Sequence, residues 1–304
     1  MRTDKIALLT DSCADIPVEV ARKNHIYVVP FTITFEEGSY QDGVDIFPDD
    51  VYRRQPNEVI KTSLPSGAVI EDTLHKIKED GYEKVIAIML SSGLSGGYQI
   101  VRMLGEEEEA LEVAVFDSMS GSLGEGAMVL TVARWIEEGR TWETMLACIP
   151  RMMKQVYPYF SVDTLEYLKR GGRIGKITAM AGTALGIKPI LAFDPVSGEL
   201  TSTHKVRGRQ AAMKKLVQVV VSKLEPNKRY NIMWAHGGTP EEGAQIAEML
   251  REAAPDFRRK LGGTTEASVP YQDGGFFYGK DDRKMKWTGL NDLRETFLAF
   301  YESK

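Results

Sequence analysis

The amino-acid sequence predicts an α/β protein with two domains. In the first half, β-rich apolar segments alternate with helix-patterned segments, which is typical of a parallel sheet covered by helices. From residue 157 the pattern changes to shorter β-rich pieces between helices, which indicates a second α/β domain with a mixed or antiparallel sheet. At 304 residues the chain is long enough for two hydrophobic cores. We expect domains over residues 1–157 and 158–304.

The elements of the first domain follow from local composition. Residues 85–90 are continuously apolar, as expected for a parallel strand that is covered on both faces. Asp15 and Pro17 are typical of a helix start, and Gly81 ends a second helix that begins after Ser66. The predicted strands cover residues 6–9, 26–35, 85–90 and 113–116, and the predicted helices include residues 15–23 and 66–80.

The second domain contains short β-rich segments interleaved with helical patterns. The predicted strands cover residues 159–162, 190–193, 200–206 and 232–234, and the predicted helices include residues 210–223. We place the domain boundary near Pro158.

Composition excludes several classes of protein. The net charge of −5 argues against a nucleic-acid-binding protein, which usually has an excess of cations on one face. No apolar run approaches the roughly 18 residues of a membrane span, and the N-terminus lacks the apolar region of a signal peptide. Cys13 and Cys148 are too few for a disulfide framework and lack metal-ligand spacing. We therefore expect a cytoplasmic protein without a metal, a cofactor or an integral membrane segment.

Three hydroxyl-rich segments in the first 120 residues are the strongest functional signal. They are KTSLPS at residues 61–66, LSSGLSG at residues 90–96 and FDSMSG at residues 116–121. The second and third directly follow predicted strands, and all three lead into helical patterns. The carboxyl ends of strands are where α/β sheets bind ligands, and helix N-termini favour anions there. The sequence thus predicts a site that holds a carboxylate through hydroxyl groups.

Two other interpretations of these serines are open. The segment GLSGG at residues 93–97 fits the G-x-S-x-G pattern of a serine hydrolase, with Ser95 as nucleophile and His204 or His236 as base. Two serines separate the motif from the strand, however, and no oxyanion segment of the HGGG type precedes it. Ser66 and Ser95 also suit helix N-capping, which is compatible with ligand binding.

The segment RGGRIGK at residues 170–176 contains three cations but is not a phosphate-binding P-loop. A Walker A motif needs Ser or Thr after Gly-Lys, where this chain has Ile177. On composition alone the segment suits an exposed turn. With neither a P-loop nor a metal-ligand cluster, we expect a protein that is not an enzyme.

Six segments in the same order resemble the DegV family of bacterial fatty-acid-binding proteins. The segments are TDSCADIP (10–17), TSLPS (62–66), LSSGLSGGYQ (90–99), Asp117 and Ser118 with Gly124 and Gly126, LEYLKRGGRI (165–174) and IKPIL (187–191). The resemblance is firm over about residues 5–215.

The resemblance implies one fatty acid between two α/β domains, with its carboxylate held by hydroxyls of the first domain. By motif position these hydroxyls belong to Thr62 and Ser95. The residues expected near the head group are Ser63, Gly96, Ser118 and Arg173. A chain of about sixteen carbons, such as palmitate, would gain on the order of 10 kcal/mol from burial at ~0.8 kcal/mol per methylene. The tail would thus supply most of the affinity, and the head group would determine the orientation of the ligand.

The resemblance also implies a possible protein partner. Some family members present the carboxylate to a separate fatty-acid kinase, and Arg207, Arg170 and Lys176 are this chain's candidates for docking such a partner. Kinase-coupled members have a histidine near the C-terminus, whereas residues 269–278 here contain none. A carrier, a lipid-sensing regulator and a serine hydrolase are therefore the competing functions. From about residue 279 the chain extends past the usual family end, with a helix-like pattern over residues 290–301.

Overall fold

The computed structural model describes residues 5–55, 57–180, 186–225, 230–253, 274–276 and 295–302. Its strands are β1 (Ile6–Asp11), β2 (Ile26–Val29), β3 (Thr32–Thr34), β4 (Ser39–Gln41), β5 (Lys61–Ser63), β6 (Lys84–Met89), β7 (Glu112–Asp117), β8 (Val156–Val162), β9 (Ile187–Phe193), β10 (Leu200–Arg207), β11 (Tyr230–His236), β12 (Gly274–Phe276) and β13 (Glu295–Glu302). Its α-helices are α1 (Val18–Lys23), α2 (Pro48–Arg54), α3 (Gly67–Glu79), α4 (Gly97–Glu107), α5 (Leu123–Glu137), α6 (Trp142–Met153), α7 (Glu166–Arg170), α8 (Arg209–Val221) and α9 (Pro240–Ala253). Short 3-10 helices cover Ser12–Ala14 and Gly175–Met180.

The first half contains the predicted parallel sheet. Its strand order is β2-β1-β6-β7, and every pair of neighbours is parallel. β1 is buried along its whole length, and β6 is buried from Val85 to Met89, because helices cover both faces of the sheet. The α/β class predicted from the sequence is confirmed.

A small antiparallel sheet with the order β4-β3-β5 lies beside the parallel sheet. The sequence predicts one strand over residues 26–35, but the structure divides it into β2 and β3. Pro30 lies between them, and proline cannot donate a ladder hydrogen bond. The break allows the chain to leave the parallel sheet and pair Ile33 with Thr62 of β5.

The second half contains a six-stranded antiparallel sheet with the order β10-β9-β8-β13-β11-β12. The prediction of a helix over residues 290–301 is wrong, because residues 295–301 belong to β13, which lies between β8 and β11. Pairing on both edges satisfies the backbone of this strand and overrides the local helical pattern. Residues 290–294 and most of the segment beyond residue 279 lie outside the described residues.

Helix α5 lies between the two large sheets. It contacts β1 and β6 on one side and β8, β11 and β13 on the other. Residues Leu123 to Ala133 are all buried, so the helix has no polar face in this stretch. Within the part of the chain that the structure describes, no helix is long and apolar enough to cross a membrane.

The packing of α5 gives a first prediction. Val129 is fully buried at 0% exposure, whereas Val18 on α1 is 47% exposed. We expect Val129→Ala to lower the free energy of unfolding by about 2 kcal/mol, because it removes buried methyl groups and leaves a cavity. Val18→Ala should change it by less than about 0.5 kcal/mol. Urea denaturation of both variants measures the difference, and equal effects would show that α5 is not part of the core.

Candidate functional site

The polar loops that follow β6 and β7 lie side by side at the carboxyl end of the parallel sheet. The Asp117 carboxylate accepts hydrogen bonds from the backbone N–H groups of Ser92 (3.1 Å) and Met119 (3.0 Å). The Ser91 N–H donates to the Ser120 carbonyl over 2.8 Å. Two of the three hydroxyl-rich segments are thus in contact, as expected for loops that leave neighbouring parallel strands.

Two buried carboxyl groups support the same edge. Asp11, at the end of β1, accepts hydrogen bonds from the backbone N–H groups of Cys13 and Leu90, each over 2.9 Å. The Thr10 hydroxyl donates to one carboxyl oxygen of Glu125 over 3.0 Å. The other Glu125 oxygen has no hydrogen-bond partner among the described residues. The sequence predicts a role for neither acid, although Asp11 lies in the TDS segment at residues 10–12.

Both carboxyl groups hold protons more tightly than exposed carboxyls do. Burial raises the pKa of Asp11 to about 6, although its backbone hydrogen bonds oppose the shift. Burial raises the pKa of Glu125 well above its ordinary value, and the charge of Asp11 raises it further. The edge therefore carries less negative charge near neutral pH than two exposed carboxylates would.

These shifts predict how stability depends on pH. A carboxyl whose pKa is raised in the folded state contributes stability that is complete below its unfolded pKa and is lost as the pH rises through the folded pKa. For Asp11 this window runs from 3.8 to about 6. Glu125→Gln should raise the free energy of unfolding at pH 8 and leave it nearly unchanged at pH 4, because the amide keeps an acceptor for Thr10 and cannot ionise.

Denaturation of Glu125→Gln at both pH values measures this effect. The control is Glu109→Gln, at an exposed glutamate, and it should have no effect at either pH. A Glu125→Gln variant that is less stable than the parent protein at pH 8 would contradict the account.

Ser95 lies at the start of α4 and is 8% exposed. Its hydroxyl oxygen accepts a hydrogen bond from the Gly97 N–H over 3.2 Å. The helix N-cap is Gly96, so Ser95 stands one residue before the cap. No described residue accepts the proton of the Ser95 hydroxyl, which leaves this donor available at a helix N-terminus. Ser66, in contrast, is a true N-cap and accepts from the Val69 N–H over 3.3 Å.

Thr62 lies on β5, two residues before a leucine that approaches the Ser95 loop. It is half-buried in the middle of β5. Two residues later, Leu64 packs with Leu94 against the buried cluster of Cys13, Phe31 and Leu90. A Cβ atom added to Gly96 would lie 3.6 Å from Leu64 Cδ2, which shows how closely the two segments approach. Ser63 is exposed and points to the opposite face of β5 from Thr62, because side chains alternate along a strand.

Arg173 and Ser118 have different positions relative to Ser95. The Arg173 Nε donates to the Leu94 carbonyl over 3.2 Å, so this exposed side chain adjoins the Ser95 loop. Ser118 is buried, and its hydroxyl donates to the Ser120 carbonyl and accepts from the Ser120 N–H. Ser118 therefore shapes the turn after β7.

The cations predicted to dock a partner differ in their contacts. Arg170 forms an ion pair with Glu166 on the same helix. Lys176 Nζ lies 2.9 Å from the Asp194 carboxylate. Arg207 is exposed at the end of β10 and forms no ion pair with the residues that the structure describes.

The two histidines considered for a triad do not contact Ser95. His236 is buried at the end of β11, and its Nδ1 accepts from the Thr239 N–H over 3.2 Å. His204 lies on β10, with Nδ1 3.1 Å from the Thr203 hydroxyl. A serine nucleophile needs a base within hydrogen-bond reach, and no described histidine is within that reach of Ser95.

The described part of the chain contains no group of three or more His, Cys, Asp or Glu side chains that could hold a metal ion.

A largely apolar cavity of about 560 Å³ adjoins the loop after β7. Its lining includes Asp117, which also accepts from the Ser92 N–H, and Ser118, but neither Thr62 nor Ser95. The cavity extends between the parallel sheet, α6 and the ends of β8, β9 and β10. Its apolar lining includes Phe116, Met119, Met128, Met153, Pro158 and Phe193.

Of residues 269–278, where the sequence lacks a histidine, the described part is Gly274–Phe276, which forms β12.

Comparison with known proteins identifies the family and the fold. The model of the family described as "Uncharacterised protein, DegV family" matches residues 5–265. A DegV domain-containing protein of Clostridium acetobutylicum is 36% identical over 249 residues, which cover 82% of this chain and 88% of the relative. A fatty-acid-binding DegV family protein from Thermus thermophilus superposes with a TM-score of 0.81 at 25% identity over 100% of both chains. DegV of Bacillus subtilis, a fatty acid binding protein, superposes with a TM-score of 0.77 at 25% identity over 98% of this chain and 99% of its own.

Proposed function

The chain belongs to the DegV family, and we propose on this basis that it binds one long-chain fatty acid between two domains, residues 1–157 and 158–304. The hydroxyls of Thr62 and Ser95 hold the carboxylate, and the protein acts as a carrier. The observation that supports this most is the Ser95 hydroxyl, which lies at a helix N-terminus with its proton uncommitted among the described residues. The relatives from Thermus thermophilus and Bacillus subtilis are fatty-acid-binding proteins.

Four features of the proposed head-group site suit a carboxylate. The Thr62 and Ser95 hydroxyls can donate hydrogen bonds, and the N-terminus of α4 presents the positive end of a helix dipole. The Arg173 guanidinium lies beside Leu94, one residue from Ser95. The raised pKa values of Asp11 and Glu125 limit the negative charge that would repel an anion at this edge.

The cavity beside Asp117 and Ser118 suits the acyl chain. Its volume of about 560 Å³ is adequate for a long apolar chain, and most of its lining is aliphatic, aromatic or methionine. Methionine side chains adapt to flexible ligands. Burial of a chain of about sixteen carbons gives on the order of 10 kcal/mol before the costs of binding, at ~0.8 kcal/mol per methylene.

The head-group assignment is tested with paired substitutions. The double variant Thr62→Ala with Ser95→Ala should lose fatty acid from the protein as purified, because each substitution removes a donor to the carboxylate, typically worth 1.5–3 kcal/mol for a charged acceptor. Native mass spectrometry measures the occupancy. Ser63→Ala is the matched control, because it removes an exposed hydroxyl on the other face of the same strand. Full lipid occupancy in the double variant would rule out this site.

The same spectra discriminate between the carrier and the hydrolase. A carrier releases free fatty acid on denaturation, whereas a hydrolase would retain an acyl group covalently bound to Ser95. A lipid-sensing regulator would bind lipid as a carrier does but would not support the formation of acyl phosphate in the assay below.

We also propose that Arg207 contributes to a docking face for a fatty-acid kinase. Added bacterial kinase and ATP should then yield acyl phosphate, more slowly than with a relative that has the C-terminal histidine. Neutral hydroxyl ligands leave the carboxylate nucleophilic towards a phosphoryl donor.

Arg207→Ala should lower product formation and leave lipid binding unchanged, because Arg207 is exposed at the end of β10 and forms no hydrogen bond or ion pair with the described residues of the Ser95 loop. Arg102→Ala is the control, at an exposed arginine of α4 that pairs with Glu106. Lipid that stays bound while no kinase gives product would assign the protein to storage or sensing.

A further inference from the structure

The loop that presents Ser95 is bonded to a hairpin from the second half of the chain. The Ser91 hydroxyl donates to the Gly198 carbonyl over 2.8 Å, and Ser91 is 0% exposed. Gly198 belongs to the tip of the β9–β10 hairpin, residues 194–199, which we call the hairpin tip. Residues 91 and 198 come from the two sides of the predicted domain boundary.

This contact is so close that it requires glycine on both sides. A Cβ atom on Gly93 would lie 2.4 Å from the Ser197 carbonyl oxygen. A Cβ atom on Gly198 would lie 2.0 Å from the Ser91 hydroxyl, and Gly198 has φ +67°. The two backbones therefore pack directly on each other, without intervening side chains.

A third segment, residues 173–176, joins the hairpin tip to the same loop. Lys176 Nζ lies 2.9 Å from the Asp194 carboxylate and 3.9 Å from that of Glu199, one acid on each side of the tip. Three residues earlier, Arg173 donates to the Leu94 carbonyl. The cationic segment thus binds both the tip and the Ser95 loop.

Ser91 also determines the backbone of the Ser95 loop. Its hydroxyl accepts from the Gly93 N–H over 3.2 Å. Its carbonyl accepts from the N–H groups of Leu94 (2.9 Å) and Ser95 (3.1 Å). One buried serine therefore connects the hairpin tip to the turn that orients the Ser95 hydroxyl.

We infer that the hairpin tip is a clasp that holds the Ser95 loop in its ligand-binding shape, with Ser91 as the positioning residue and Lys176 as the ionic part of the clasp. This inference rests on the proposed function and adds to it the step that controls ligand exchange. Opening the clasp separates the two halves of the chain at the head-group site and releases the loop. Fatty acid therefore leaves at a rate set by the clasp contacts.

The ionic part is tested by the rate of ligand release. The probe is cis-parinaric acid, a fluorescent fatty acid, displaced by excess palmitate in a stopped-flow instrument. Lys176→Met should release it about two- to fivefold faster, the range for a partly exposed ion pair. Release from the parent protein should accelerate with added salt, and this salt dependence should be absent in Lys176→Met. The control is Lys188→Met, which removes an ion pair with Asp163 that does not involve the clasp.

The backbone part is tested with two matched pairs. Gly198→Ala introduces the clash with Ser91, whereas Gly139→Ala introduces the same type of strain, at φ +73°, with nothing within 4 Å of the new Cβ. Ser91→Ala removes the bond to the tip, whereas Ser161→Ala removes a buried hydroxyl that has no hydrogen-bond partner among the described residues. Gly198→Ala and Ser91→Ala should release the probe about tenfold faster than their controls, with all four variants folded by circular dichroism.

The outcomes separate the clasp from the proposed function. If the parent protein fails to bind the probe, the fatty-acid function itself is wrong. If the parent protein binds the probe but the clasp variants release it no faster than their controls, or Lys176→Met retains the salt dependence, the clasp is wrong and the fatty-acid function is unaffected. Faster release in the three clasp variants alone supports the inference.

Discussion

The burial of α5 between two sheets is the constraint on which the rest of the structure depends. A helix whose side chains are mostly apolar on every face is stable in water only when other elements cover all of its faces. The parallel sheet covers one side of α5 and the antiparallel sheet covers the other. Because α5 begins directly after the loop that follows β7, its position also fixes that loop. The packing of the core therefore determines where the polar edge of the first sheet meets the second half of the chain.

At this edge, two aspartate side chains fix the loops that follow the strands. Asp11 bonds its own turn and the start of the Ser91–Ser95 loop, and Asp117 bonds the same loop to the turn after β7. The Ser95 hydroxyl in this loop accepts from the Gly97 N–H, and no described residue accepts its proton. In the proposed site, neutral donors held in place by the fold would replace the water around a carboxylate, so that an anion could bind without a buried cation.

The sequence predicts the parts of this arrangement that depend on local pattern. The continuous apolar run at residues 85–90 predicts β6, and Ser66 and Gly81 predict the limits of α3. The Ser95 and Ser118 segments each follow a predicted strand. Loops at the carboxyl ends of parallel strands lie at the same edge of the sheet, so this placement predicts that the two loops adjoin. The predicted two domains and the carboxylate ligands Thr62 and Ser95 remain proposals.

The parts that the sequence did not predict depend on contacts between distant segments. The pattern of residues 290–301 suits a helix in isolation, and only the two neighbouring strands make residues 295–302 a strand. The hydrogen bond from Ser91 to Gly198 spans 107 positions and has no signal in either local segment. The ion pairs of Lys176 with Asp194 and Glu199 are also not predictable from local pattern, because the two acids lie in a hairpin of the second half of the chain. A role of Lys176 in docking a partner remains a proposal.

A crystal structure of the protein purified with bound fatty acid tests the central claim most directly. The account predicts continuous density for one acyl chain, with the carboxylate within hydrogen-bond distance of the Thr62 and Ser95 hydroxyls and the chain in the cavity lined by Met128 and Phe193. Density for a carboxylate elsewhere on the molecule, or an acyl chain bonded covalently to Ser95, would contradict it.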